Sequence, residues 1–71
     1  MDLGQARTFV TVAELGTVSK AALRLQIAQP ALSRQIIDLE NELGLRLFDR
    51  AGRRLLLTGE GEHCFSIAPA P

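Results

Sequence analysis

A mainly helical fold that closes on a short β-hairpin is what this 71-residue sequence predicts. Apolar residues recur at three- and four-residue spacing through three stretches that end near Leu15, Leu25 and Leu43. Glycines follow the first and the third of them, at Gly16 and Gly44. Past Gly44 the period changes, and the short runs "LRLFDR" and "RLLLT" flank the glycine turn "AGR".

The first helix is expected from Leu3 to Leu15, with Asp2 as N-cap and Leu3, Ala6, Phe9, Val10 and Ala13 on its buried face. Gly16 ends it as a C′ glycine. Thr17 then caps a short second helix with Val18, Ala21, Ala22 and Leu25 inward. The alanine pair permits another helix to approach closely. Gln26, Ile27 and Ala28 form a tight connection, with Ile27 plugging the space beneath it.

The third helix is expected from Gln29 to Leu43, with Pro30 in its first turn, where a missing N–H costs nothing. Leu32, Ile36, Leu39 and Leu43 make its buried stripe. Two helices of unequal length joined by a short turn, with small residues at the crossing, form a helix-turn-helix. The hairpin after them is a wing spanning 46–58, with Leu45, Leu47, Leu55 and Leu57 inward. Thr58 caps a fourth helix with Cys64, Ile67 and Ala68 on one face. Gly59 and Gly61 weaken it, and Pro69 and Pro71 end it. The fold class is therefore a winged helix-turn-helix: three helices, a two-stranded wing and the start of a fourth helix. Residues 1–58 are expected to form the winged domain, and 59–71 a short fourth helix with a frayed end.

Composition narrows the function. A chain this short has one small core, here mainly aliphatic, with no Trp or Tyr and with Phe9, Phe48 and Phe65 as its large anchors. The single Cys64 cannot form an internal disulfide, and this suits a reducing cytosol. No apolar run reaches the roughly 20 residues of a membrane span, and "MDLGQARTF" lacks a signal-peptide layout. A cytoplasmic protein with no membrane partner is expected. One His and one Cys, adjacent at His63 and Cys64, leave no nucleophile–base pair or metal cluster, so neither an enzyme nor a bound cofactor or metal is expected.

Net charge is zero, but its distribution is not even. Between Thr17 and Ile37 stand Lys20, Arg24 and Arg34 with no acid. Between Gly44 and Thr58 stand Arg46, Arg50, Arg53 and Arg54 against Asp49 alone. Local potential, rather than the total, attracts a phosphate backbone.

The stretch "AQPALSRQI" is where that charge meets a helix start. At 100° per residue, inward Leu32, Ile36, Leu39 and Leu43 turn Pro30, Arg34, Ile37 and Asn41 outward, with Ser33 on the flank near Gln29. An amide suits an adenine edge, and an arginine suits guanine or phosphate. The helix N-terminus adds partial positive charge. Asp38, Glu40 and Glu42 mark where the helix leaves the groove, because phosphate repels carboxylate. At the wing, Arg53 and Arg54 beside Gly52 suit a narrow minor groove. Of Thr17, Ser19 and Lys20, the lysine is the better phosphate ligand, since Thr17 is occupied as a cap. The candidate DNA-binding residues are Gln29, Pro30, Ser33, Arg34, Lys20, Arg50, Arg53 and Arg54.

The run from "FVTVAELG" to "LLLTGEGE" resembles the N-terminal domain of LysR-type bacterial transcriptional regulators, without gaps over residues 1–62. The motifs are "AALRL", "AQPALSRQI", "LE.ELG.RLF.R" and "LT..G". The resemblance implies sequence-specific binding of double-stranded promoter DNA for transcription regulation. It puts the equivalents of Gln29, Pro30, Ser33 and Arg34 at the major groove, and those of Arg50 to Arg54 along the backbone or minor groove. That family continues through a linker helix, which forms the dimer, into an effector-binding domain. The resemblance implies that 59–71 is the truncated start of that linker helix. This chain has "GEG" after Thr58 where the family has a small residue at Glu60, and its prolines end the helix after roughly three turns. A homodimer is therefore expected only in a full-length form with an intact linker helix, and no small-molecule effector is expected for this chain. Ile37 stands where the family places a polar or basic residue, and it reads more simply as tolerated at the surface than as a thymine contact. Two other readings stand beside DNA binding: a winged-helix protein-interaction module using Ile37 and Leu56, and a folded fragment without independent DNA binding.

Overall fold

The computed structural model describes residues 2–68. Its elements run in the order α1 (Leu3–Leu15), α2 (Val18–Leu25), α3 (Gln29–Leu43), β1 (Phe48–Ala51), β2 (Arg54–Leu57) and α4 (Gly59–Ile67). The expected fraying at 69–71 lies outside the described residues.

Local chemistry sets the helix ends. Asp2 and Gln5 form a capping box: the Gln5 N–H donates to Asp2 Oδ1 at 2.7 Å, and the Asp2 N–H donates to Gln5 Oε1 at 3.1 Å. Gly16, with φ 75°, closes α1 by donating to the Val12 carbonyl. Thr17 Oγ1 accepts from the Lys20 N–H and starts α2. Gln26 ends α2 in the left-handed region, φ 59°, a conformation that non-glycine residues seldom adopt. It turns the chain tightly enough for α3 to begin three residues later.

The core forms where α1, α2 and α3 cross. Phe9, Val12, Leu32 and Leu47 are fully enclosed, and Ala21 and Ala22 hold the close contact of α2. The α3 stripe is as expected, with Leu43 half-buried at its end. α1 differs. Leu3 is exposed, while residues 8–12 are buried without a break, because α1 packs against four other elements, α2, α3, β2 and α4. The buried threonines stay satisfied: Thr8 Oγ1 donates to Gln35 Oε1 at 3.0 Å, and Thr11 Oγ1 donates to the Arg7 carbonyl.

The wing is an antiparallel pair in the register Phe48↔Leu57 through Ala51↔Arg54, turned at Gly52 and Arg53. Gly52 has φ 64°, which a side chain would strain. Leu47 and Leu55 point inward as expected, while Leu45 and Leu57 are only half-buried. Phe48 is buried as well, with its ring 5.5 Å from that of Phe9. On α4, Cys64 and Ala68 pack on the core, but Ile67 turns out to solvent. Phe65, expected in the core, is partly exposed and touches Phe9 only at its edge, ring centres 6.3 Å apart.

Four backbone groups fasten the wing. The Leu47 and Phe48 N–H groups donate to Glu40 Oε2 on α3, at 2.8 and 3.3 Å. The Leu55 N–H donates to the Gly16 carbonyl at 2.8 Å, and the Thr58 N–H donates to the Leu47 carbonyl at 3.0 Å. Glu40 is thus not a solvent-facing member of an acidic strip. Its side chain, only 16% exposed, faces the wing, where two amide donors outweigh the attraction of water.

Gly61 is buried, and a Cβ there would collide with the Leu47 carbonyl, whereas one at Gly59 would meet nothing. The two glycines expected to weaken α4 therefore do different work. Gly61→Ala should destabilise the fold by about 1–3 kcal/mol, and Gly59→Ala should stabilise it by about 0.4–1 kcal/mol, both read from urea unfolding. Glu40→Ala should cost about 1–3 kcal/mol in the same measurement, because it strips the acceptor from two sheltered amides.

Candidate nucleic-acid interface

The start of α3 differs from the other helix starts. Asp2, Thr17 and Thr58 each cap their helix with a side-chain oxygen, but Ala28 before α3 has none to offer. The first turn of α3 therefore keeps backbone N–H groups at Gln29 and Ala31 without a capping side chain, at the positive end of the helix dipole. Gln29, Pro30 and Ala31 are all exposed around them.

The wing brings its cations to that end. A cleft of about 380 Å³ is lined by Val18 and Ser19 of α2, Gln29 of α3, and Arg50, Arg53 and Arg54 of the wing, with no acid in its lining. The hairpin reaches this position because the Leu55 N–H is bonded to the Gly16 carbonyl, and the Arg54 guanidinium lies beside Gly16. A second cleft, of about 300 Å³, separates α3 from the wing. Ser33, Ile37, Glu40, Arg46 and Arg50 line it over a floor that includes Phe48 and Leu55. Arg50 borders both clefts.

Of the eight candidate residues, Gln29, Arg50, Arg53 and Arg54 thus share one cleft, and Ser33 meets Arg50 in the other. Pro30 and Arg34 line neither cleft and stand on the outward crest of α3. Lys20 is exposed in the first turn of α2, and its backbone N–H is held by Thr17. Arg34 is paired within its helix, Nε donating to Asp38 Oδ1 at 3.3 Å.

Arg46 contributes less to this surface than its charge suggests. Its Nη2 donates to the Phe48 carbonyl at 3.1 Å, and Glu40 and Asp49 each lie 4.0 Å from its guanidinium. Ser19 is the residue that sequence reasoning passed over in favour of Lys20, although its place on the cleft wall follows from the same helix start. Among the described residues no group of three or more His, Cys, Asp or Glu side chains could hold a metal. No described helix is long and apolar enough to cross a membrane.

Residues 3–62 match the model of the "bacterial regulatory helix-turn-helix protein, lysR family". An uncharacterized HTH-type transcriptional regulator from the ibpB–leuC intergenic region of Azotobacter vinelandii is 49% identical over 61 residues, covering 86% of this chain and 42% of that protein. Among solved structures, the complex of BenM_DBD with benA site 1 DNA superposes with a TM-score of 0.90 at 47% identity. It covers 96% of this chain and 79% of that one. BenM itself is an HTH-type transcriptional regulator of Acinetobacter baylyi. The CbnR_DBD–DNA complex also reaches 0.90, at 38% identity, covering 96% of this chain and 78% of that one. The chain spans less than half the length of the curated relatives it matches. These relatives are transcriptional regulators. With a family model over most of its length and a winged helix-turn-helix built as that family builds it, the chain belongs to the lysR family of bacterial regulatory helix-turn-helix proteins.

Proposed function

We propose that this chain binds double-stranded promoter DNA sequence-specifically and regulates transcription, with the N-terminal half of α3 in the major groove. The wing, 46–58, lies on the neighbouring backbone or minor groove. The observation that carries the reading is the acid-free cleft where the uncapped start of α3 meets Arg50, Arg53 and Arg54. Dense positive charge beside free backbone N–H groups is complementary to phosphate. The likeness to domains solved with DNA supports the same reading.

In this scheme Lys20, Arg50, Arg53 and Arg54 neutralise phosphates. Gln29, Ser33 and Arg34 reach base edges, and Pro30 leaves a lean surface that lets the helix approach closely. The partner places the chain in the bacterial cytoplasm, at the nucleoid. In a longer form the same domain would act as a homodimer on two half-sites roughly 34 Å apart. A single domain binds weakly beside such a dimer, because it forgoes the effective concentration that linkage supplies.

Fluorescence-anisotropy titration with a labelled duplex at several salt concentrations tests the reading. Four phosphate contacts predict a slope of log affinity against log salt of roughly −3 to −4. A partner contact through exposed Ile37 and Leu56 would instead be nearly insensitive to salt. Arg34→Ala should weaken binding to a duplex selected from a random pool by about 1–3 kcal/mol. An equal loss on random DNA would reduce Arg34 to a phosphate contact.

A further inference from the structure

Arg34 pairs within its own helix. Its Nε–H donates to Asp38 Oδ1 at 3.3 Å, one helical turn further on. The two side chains are 78% and 58% exposed, so the pair contributes little to stability and its consequence is geometric. Helical side chains lean toward the N-terminus, so Asp38 reaches back over Arg34 toward the end that carries Gln29.

A guanidinium recognises guanine by directing two parallel N–H groups at O6 and N7. Bonding at Nε engages the near edge of the guanidinium plane and leaves both Nη groups at the far end free to form that fork. The pairing also biases the plane of a side chain that otherwise samples many rotamers. An arginine on this exposed crest without such a restraint would turn to the nearest phosphate, which any sequence supplies. Asp38 lies one turn from the groove-facing residues and carries the charge that phosphate repels. That repulsion is stronger toward a phosphate, which carries a full negative charge, than toward a guanine edge, which offers neutral acceptors.

We propose that Asp38 is a positioning residue, which orients Arg34 so that its two Nη groups read a guanine in the major groove. The inference rests on the duplex-DNA reading above and assigns a base to one of its contacts. It also gives Asp38 a role beyond marking where α3 leaves the groove.

The test begins with a duplex selected from a random-sequence pool by the wild-type chain. Each guanine in it is replaced by adenine in turn, to find the position at which Arg34→Ala has lost its preference. Wild type, Asp38→Asn, Arg34→Ala and the double variant are then titrated with the guanine, adenine and scrambled duplexes at one salt concentration. Asp38→Asn should lower the guanine preference roughly two- to fivefold. It should bind the scrambled duplex at least as tightly as wild type, and once Arg34 is Ala it should change affinity for all three duplexes alike and leave the preference unaltered. If Asp38→Asn strengthens binding to all three duplexes alike and leaves the preference intact, Asp38 only repels phosphate and the proposal is overturned. If Arg34→Ala alters preference at no position, the base-reading role of Arg34 falls first, and this inference falls with it.

Discussion

Leu47 joins the two halves of this domain through three of its parts at once. Its side chain is fully buried in the core, its N–H donates to Glu40 on α3, and its carbonyl accepts from the Thr58 N–H. The same carbonyl lies against Gly61, leaving no room for a side chain on that face of α4. One residue therefore ties α3, both ends of the wing and the last helix together. The spacing between the first turn of α3 and the arginines of the hairpin depends on those ties. A two-stranded ribbon alone is marginal in water, and this one persists because it is fastened at Glu40, Gly16 and Thr58.

Charge follows the same division of labour. The acids near the C-terminal half of α3 are not interchangeable: Glu40 turns inward to two backbone amides, Asp38 holds Arg34, and Glu42 remains exposed. Of the wing cations, Arg46 is drawn toward Glu40, Asp49 and the Phe48 carbonyl, while Arg50, Arg53 and Arg54 border an acid-free cleft. A chain of zero net charge can thus present a basic surface, because its carboxylates are placed or engaged elsewhere.

Much of this was legible in the sequence because the signals are local. Capping residues, glycine stops and the α3 stripe depend on a few neighbouring positions, and all of these elements appear where those residues put them. The shared placement of Gln29 with the wing arginines needed the fold, yet the charge blocks on either side of α3 already pointed to it. Contacts between distant elements were not legible. Glu40 looked like any exposed acid because its amide partners lie seven and eight residues away. Gly61 looked like a weak helix residue because the carbonyl that demands it belongs to Leu47. The burial of residues 8–12 likewise reflects packing of α1 against four other elements, which a single-stripe pattern does not express.

The central claim is that the leading turn of α3 and the wing tip form one continuous surface for duplex DNA. Amide chemical shifts of a uniformly labelled chain, followed during titration with a selected duplex, test it most directly. The account predicts that Gln29 and Ala31 to Arg34 shift together with Arg50 to Arg54, while exposed residues outside this surface, such as Leu3 and Ile67, stay in place. Movement confined to the latter residues, with the α3 start unchanged under saturating duplex, would contradict it.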